Sequence, residues 1–86
     1  MKNLTPFTVH GTATGSNKNI QLDEISIIAD SETMRALGDF LINAADEMAE
    51  FGLEHLHLQD LVENFSPDTH VDFIALNRKI VELKKD

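Results

Sequence analysis

The chain has 86 residues, of which 42% are hydrophobic and 26% charged, so size and composition predict one folded domain spanning residues 1–86 and argue against disorder. It contains no cysteine, which excludes disulfides, thiolate metal sites and cysteine nucleophiles, and no apolar run approaches the roughly 20 residues that cross a bilayer. The net charge of −8 repels phosphate backbones and anionic lipid, which argues against direct nucleic-acid and membrane binding.

Two strands joined by a polar turn are predicted for the first thirty residues. Residues 4–10 and 19–29 carry strand-like content, and the segment between them is rich in residues that form turns. The apolar positions of the second strand change parity near Asp23 and Glu24. This change predicts a β-bulge there or a strand that is apolar on both faces, and the bulge is favoured.

A long amphipathic helix is predicted from Ser31 to Phe51, because apolar residues recur there at helical spacing and fall on one face. Asp30 or Ser31 can accept hydrogen bonds from the free N–H groups of the first turn. Gly52 supplies the left-handed residue that ends such a helix. A helix of this length, about 30 Å, can lie diagonally across a four-stranded sheet.

The opposite face of the predicted helix is acidic and solvated. Arg35 precedes Asp39 by four residues, a spacing that allows an ion pair along the helix. Residues 1–77 carry a net charge of −10, whereas residues 78–86 carry +2, so a basic protein is the electrostatically matched partner. Four residues define the acidic helix face: Asp39, Asn43, Asp46 and Glu50.

The pattern changes to period two after the helix, which predicts a third strand at residues 53–59. One side of this strand is apolar. The other side is a second candidate contact surface, the imidazole strand face, which consists of His55, His57 and Gln59.

The C-terminal third predicts a connection followed by a fourth strand at residues 70–76, whereas residues 78–86 either extend that strand or form a short helix. The fold class is therefore α+β in the order β-β-α-β-β, an antiparallel sheet with the long helix packed on one face. One helix leaves apolar residues such as Ile28 uncovered on the second sheet face. A homodimer formed through sheet faces or edge strands would cover them.

His55 and His57 are also the candidate metal ligands, because imidazoles two residues apart on a strand point to the same side. A tetrahedral site needs three or four ligands. His10, His70 and Asp60 could complete it if the fold brings them near. The favoured alternative is that the imidazoles face solvent or an interface; a direct partner-binding or pH-responsive role stays open as well.

Catalytic patterns are weak throughout the sequence. The serines lack a nucleophile-elbow context, and Gly11 and Gly15 lie between two strands, not in a phosphate-binding loop before a helix. Asp46 and Glu47 are neighbours in sequence and so do not share a helix face, which argues against paired catalytic carboxylates. The chain is therefore predicted to be non-enzymatic and to need no cofactor.

The middle of the chain resembles small uncharacterised bacterial proteins, some of which are similar to immunity proteins of polymorphic toxin systems. The resemblance is carried by residues 30–37 (DSETMRAL), by residues 44–48 (AADEM) and by residues 54–60 (EHLHLQD). It implies a small α+β binding protein that inactivates a cognate toxin by occluding it, without catalytic residues of its own. No toxin-binding residue can be transferred from the resemblance.

These observations predict a cytoplasmic bacterial protein that acts by protein–protein contact as an inhibitor or immunity-type partner. The acidic body would suit a basic toxin such as a nuclease. Two alternatives stay open: a metal-binding or metal-sensing module using the His-x-His strand, and a structural homodimer subunit.

Overall fold

The computed structural model describes residues 2–81, in which strands flank one long helix. The predicted α+β class and the β-β-α-β-β order are confirmed. The element bounds are β1 Val9–Gly11, β2 Ile20–Leu22, α1 Ser31–Phe51, β3 His55–His57, a 3₁₀ helix at Leu58–Asp60, and β4 Ile74–Leu76.

Within the described residues the strands pair as two separate antiparallel sheets of two strands each, β1 with β2 and β3 with β4. One four-stranded sheet was expected. The difference arises after Leu22, where the predicted second strand ends and residues 23–29 run on without a strand partner. The β-bulge predicted near Asp23 and Glu24 is therefore not formed, because a bulge requires a paired strand on both sides.

The β1–β2 hairpin is closed by a turn in the loop at residues 12–19 between its strands. Gly15 has a φ of 81°, a left-handed conformation that glycine adopts without steric cost, and the Ser16 N–H donates to the Ala13 carbonyl at 2.9 Å. A Cβ on Gly11 would stand 3.3 Å from the Leu22 side chain across the hairpin. The hairpin therefore has little room for a larger residue at that position.

Helix α1 has the predicted limits because both of its ends are capped. The Asp30 carboxylate accepts from the Thr33 N–H at 2.8 Å. Gly52, at a φ of 65°, ends the helix and its N–H donates to the carbonyls of Glu47 and Met48. Asp30 is thus the N-cap, and Ser31 is the first helical residue. No helix among residues 2–81 combines the length and the apolarity needed to cross a lipid bilayer.

The β3–β4 pair continues beyond its three-residue strands. The Asn77 N–H donates to the Glu54 carbonyl and the Leu58 N–H donates to the Phe73 carbonyl, both at 2.8 Å, so the ladder extends at each end. The strand predicted at residues 70–76 is nevertheless shorter in the structure, where β4 covers only Ile74–Leu76. Residues 78–80 form a turn, and the rest of the predicted C-terminal element, residues 82–86, lies outside the described range.

Asn77 is the buried polar residue that joins this pair to the end of the helix. Its side chain is 7% exposed, and its amide Nδ2 donates to the Leu53 carbonyl at 2.9 Å. Its Oδ1 accepts from the Lys79 N–H at 3.1 Å, and its backbone carbonyl accepts from the N–H groups of Ile80 and Val81. One residue therefore fixes the chain after α1, the end of β4 and the C-terminal turn.

The apolar core of the described residues is small. Phe40 and Ala44, one turn apart on α1, are buried at 5% and 2% exposure. Many other large apolar side chains are exposed, among them Ile28 at 99% and Val71 at 74%. The hydrogen bonds of Asn77 therefore fix the end of the helix to the β3–β4 pair in a protein with few buried apolar side chains.

We expect Asn77→Ala to destabilise the protein by about 1–3 kcal/mol, because it removes the buried amide and leaves the part-buried Leu53 carbonyl without its donor. For a domain of this size each kcal/mol lowers the melting temperature by about 4–8 °C. Thermal melts at one fixed protein concentration measure the effect. Asn17→Ala in the exposed β1–β2 loop is the matched control and should melt like the wild type; equal melting of both variants would contradict the assigned role.

Helix capping predicts a second, pH-dependent effect. The hydrogen bond from the Thr33 backbone lowers the pKa of Asp30 below its usual value. The carboxylate cap therefore contributes stability above the ordinary carboxyl pKa, and this contribution is lost as pH falls through the lowered pKa.

Asp30→Ala should accordingly melt below the wild type at pH 7, and the gap should narrow on acidification towards pH 2.5. Asp30→Asn is the control, because its neutral amide oxygen still accepts the Thr33 bond at every pH. A gap between Asp30→Ala and the wild type that stays constant across this pH range would show that the charged cap contributes nothing.

Candidate functional site

The acidic helix face lies along one side of α1 and is fully open. Its four residues are exposed and follow one another at intervals of four, three and four residues. This spacing keeps them on one side of the helix over roughly 16 Å. Phe40 and Ala44, which are buried, lie on a different side of the helix. The acidic helix face is therefore free to meet another molecule.

The ion pair predicted between Arg35 and Asp39 is not formed. Among residues 2–81 the ion pairs within 4 Å are Glu54 with His55 and His57 with Asp72. An exposed pair at this spacing on a helix contributes a net of only about 0.3–0.5 kcal/mol, which is too little to hold two long solvated side chains in one geometry. Asp39 therefore keeps its charge available on the surface.

His55 and His57 lie on β3, as predicted, and their rings meet edge to face with centroids 5.3 Å apart. The His55 ring is exposed, and its Nδ1 lies 3.3 Å from the Glu54 carboxylate. Gln59 belongs to the 3₁₀ helix instead of the strand, because β3 ends at His57. The imidazole strand face is therefore half strand and half turn.

Asp72 joins the two halves of this surface. Its Oδ2 lies 2.7 Å from the His57 Nδ1, and its Oδ1 accepts from the Gln59 backbone N–H at 2.9 Å. An ionised carboxylate only accepts hydrogen bonds, so the His57 Nδ1 carries the donated proton. Nε2 of the ring then remains for a partner, as an acceptor when the ring is neutral and as a donor when it is protonated. Both partners are about three-quarters buried, at 28% and 22% side-chain exposure, which holds the ring in place.

The other histidines lie in local clusters of their own. His10 contacts the nearby Thr8 and, across the β1–β2 hairpin, Asn19, and His70 Nδ1 accepts from the Ser66 N–H at 3.0 Å. Among the described residues, no group of three His, Cys, Asp or Glu side chains is arranged to hold a metal ion. Neither His10, His70 nor Asp60 thus completes a site there with the His-x-His pair. Metal binding by His55 and His57 stays a prediction.

The Asp72–His57 pair resembles the orienting half of a catalytic triad, in which a carboxylate fixes the tautomer of a histidine. In the part of the chain that the structure describes, no serine or threonine hydroxyl is hydrogen-bonded to His57. The fixed Nε2 can instead accept a hydrogen bond from a partner's donor.

Sequence reasoning missed Asp72 as a functional residue. It lies fifteen positions after His57, in a segment whose alternation placed it on a strand face without a partner. Strand alternation predicts a side but not which carboxylate faces which imidazole. The pairing of His57 with Ile74 across the β3–β4 register is what brings Asp72 near.

Comparison with models of known protein families identifies the family of the chain. The family model described as immunity protein 32 matches residues 24–79, about two thirds of the sequence. The chain belongs to the immunity protein 32 family. The resemblance to immunity proteins predicted from the sequence is thereby confirmed, and both candidate surfaces lie inside the matched range. No curated protein and no solved structure matches the chain.

We expect Asp72→Ala to destabilise this immunity-family protein by about 1–3 kcal/mol, because the Gln59 N–H and the His57 ring both lose their acceptor. Asp60→Ala, which removes an exposed carboxylate from the 3₁₀ helix, is the control and should leave the free energy of unfolding within about 0.5 kcal/mol of the wild type.

Nitrogen NMR of the imidazoles adds a second measurement. In the wild type the His57 ring should be held with its proton on Nδ1, and Asp72→Ala should return it to a mixture of tautomers. An unchanged tautomer in this variant would show that Asp72 does not orient the ring.

Proposed function

We propose that this protein is a non-enzymatic, cytoplasmic inhibitor that binds a cognate toxin and occludes it. Membership of the immunity protein 32 family carries the proposal, because an immunity protein implies a toxin as its protein partner. The surface available for such a partner is formed by the acidic helix face together with the imidazole strand face.

The acidic helix face supports a partner of opposite charge. Three of its four side chains are carboxylates that are exposed, and the protein as a whole carries −8. A field of one sign steers an oppositely charged protein to the surface and raises the association rate. We therefore propose that the toxin presents a basic surface, as a nucleic-acid-cleaving enzyme does.

The imidazole strand face supports directional recognition beside that charge. His57 is held by Asp72 with one ring nitrogen free to accept, and His55 is exposed next to it. A ring that is already fixed loses little entropy when a partner binds it. The two histidines would thus set the orientation of a toxin that the carboxylates attract.

The test needs a toxin and a matched pair of charge reversals. The toxin is identified by two properties. The wild-type chain captures it from cells that produce both proteins, and it arrests growth when it is expressed alone. Co-expression of the wild-type chain should restore growth. Capture without growth arrest, or growth arrest that the chain does not relieve, would contradict an immunity role.

Asp46→Lys and Glu63→Lys change the net charge by the same amount, but only Asp46 lies on the acidic helix face, while Glu63 is exposed in a turn outside both surfaces. Asp46→Lys should slow association with the toxin about tenfold at low salt, and raising the ionic strength should shrink the difference. Stopped-flow or surface-based kinetics measure both. If both variants slow association equally, the net charge of the protein sets the association rate and the acidic helix face has no specific role in it.

A further inference from the structure

An open apolar groove runs between the β1–β2 hairpin, helix α1 and the β3–β4 pair. Its volume is about 2210 Å³, whereas small-molecule sites hold about 300–1,000 Å³. Large apolar side chains from all of these elements line it: Phe7, Ile27, Ile28, Leu41, Val71 and Ile74, each at least 40% exposed. The groove has the size and chemistry of a protein interface.

The exposed area shows how much of the chain a partner would cover. The chain exposes 7920 Å², whereas a compact monomer of 9.6 kDa exposes about 5,100 Å². The six residues outside the described range could add at most about 1,100 Å², the area of that length of extended chain. The excess is therefore about 1,700 Å², and stable homodimers bury about 1,000–2,500 Å² on each subunit.

The radius of gyration agrees with the area. It is 13.8 Å, whereas a compact chain of 86 residues has about 12 Å. A chain that is more open than its length requires leaves apolar surface exposed to water, and a partner bound on the open side would bury that surface.

The charge of the groove distinguishes a second copy from a basic partner. Among its lining residues the ones with permanent charge are Glu32, Asp72 and Arg78, of which Asp72 is bonded to His57 and Arg78 donates to the Pro6 carbonyl. The groove therefore offers almost nothing to a basic toxin. It also places little of the net charge of −8 where two copies would meet.

The segment at residues 25–28 adds a backbone edge to this surface. It lies between β2 and the cap of α1 without secondary structure of its own, has the sequence Ile-Ser-Ile-Ile, and makes no backbone hydrogen bond within the described residues. Unpaired segments rich in β-branched residues can add as a strand to another chain. In a two-fold dimer each copy supplies the same groove and the same edge, so one contact satisfies both.

We propose that a second copy of this chain occupies the groove and that the protein is a two-fold symmetric dimer centred on residues 25–28. The inference does not rest on the toxin-binding role, because the groove contains no residue of the acidic helix face or of the imidazole strand face and borders the latter at Asp72. It predicts a mass of twice 9.6 kDa by analytical ultracentrifugation at micromolar concentration, with a dissociation constant below about 1 µM.

Ile28→Glu is the decisive variant. Ile28 is 99% exposed in the single chain, so the substitution disturbs no contact within the protomer, yet it places a charge at the centre of the dimer. We expect at least about 100-fold weaker dimerisation with an unchanged circular dichroism spectrum. Ile42→Glu is the matched control, because Ile42 is 63% exposed on α1 and does not line the groove; it should dimerise like the wild type.

A wild type that stays monomeric at 200 µM would overturn the proposal, and so would Ile28→Glu dimerising like the wild type. If Ile28→Glu does not fold, Val71→Glu on the other wall of the groove takes its place, since Val71 is 74% exposed. A groove that becomes protected from hydrogen exchange only when toxin is added would assign it to the toxin instead. If Ile28→Glu is monomeric and still restores growth, the dimer contact is supported and the immunity role does not require it.

Discussion

The buried amide of Asn77 is the interaction on which the arrangement of the described elements depends. It holds the carbonyl of Leu53, which directly follows the helix C-cap, and it lies where β4 ends. The antiparallel register that places His57 opposite Ile74 starts from this point. In a protein with so small an apolar core, a hydrogen-bonded polar group supplies the fixed geometry that packing supplies elsewhere. The orientation of the His57 ring depends on that geometry, because the β3–β4 register brings Asp72 to the ring.

Local signals in the sequence determined what could be predicted. Helix α1 was predicted with its observed limits because its periodicity, the Asp30 cap and Gly52 all lie within the segment itself. The strands were predicted too long. Alternation indicates which residues could belong to a strand, but it does not indicate over what length a neighbouring strand is hydrogen-bonded to it. Residues 23–29 have strand composition and no strand partner within the described chain, which is the clearest case.

The candidate site was predicted in part for the same reason. The acidic helix face follows from helical spacing alone, and the structure leaves all four residues exposed. The imidazole pair follows from strand spacing, but the carboxylate of Asp72 comes from a distant part of the chain and only the register shows it. Gln59 was assigned to the strand because the pattern does not mark the change to a 3₁₀ helix. Contacts that close over many residues are therefore what sequence pattern omits.

The two hairpins are made from neighbouring parts of the chain, and this has a kinetic consequence. β1 pairs with β2 across a short loop, and β3 pairs with β4 at separations of about twenty residues. Chains dominated by such short loops fold quickly, because little loop entropy is lost before contacts form. A single chain can therefore reach its shape before it meets a partner. In the proposed dimer, association is then a separate, second-order step whose rate rises with the cellular concentration of the protein.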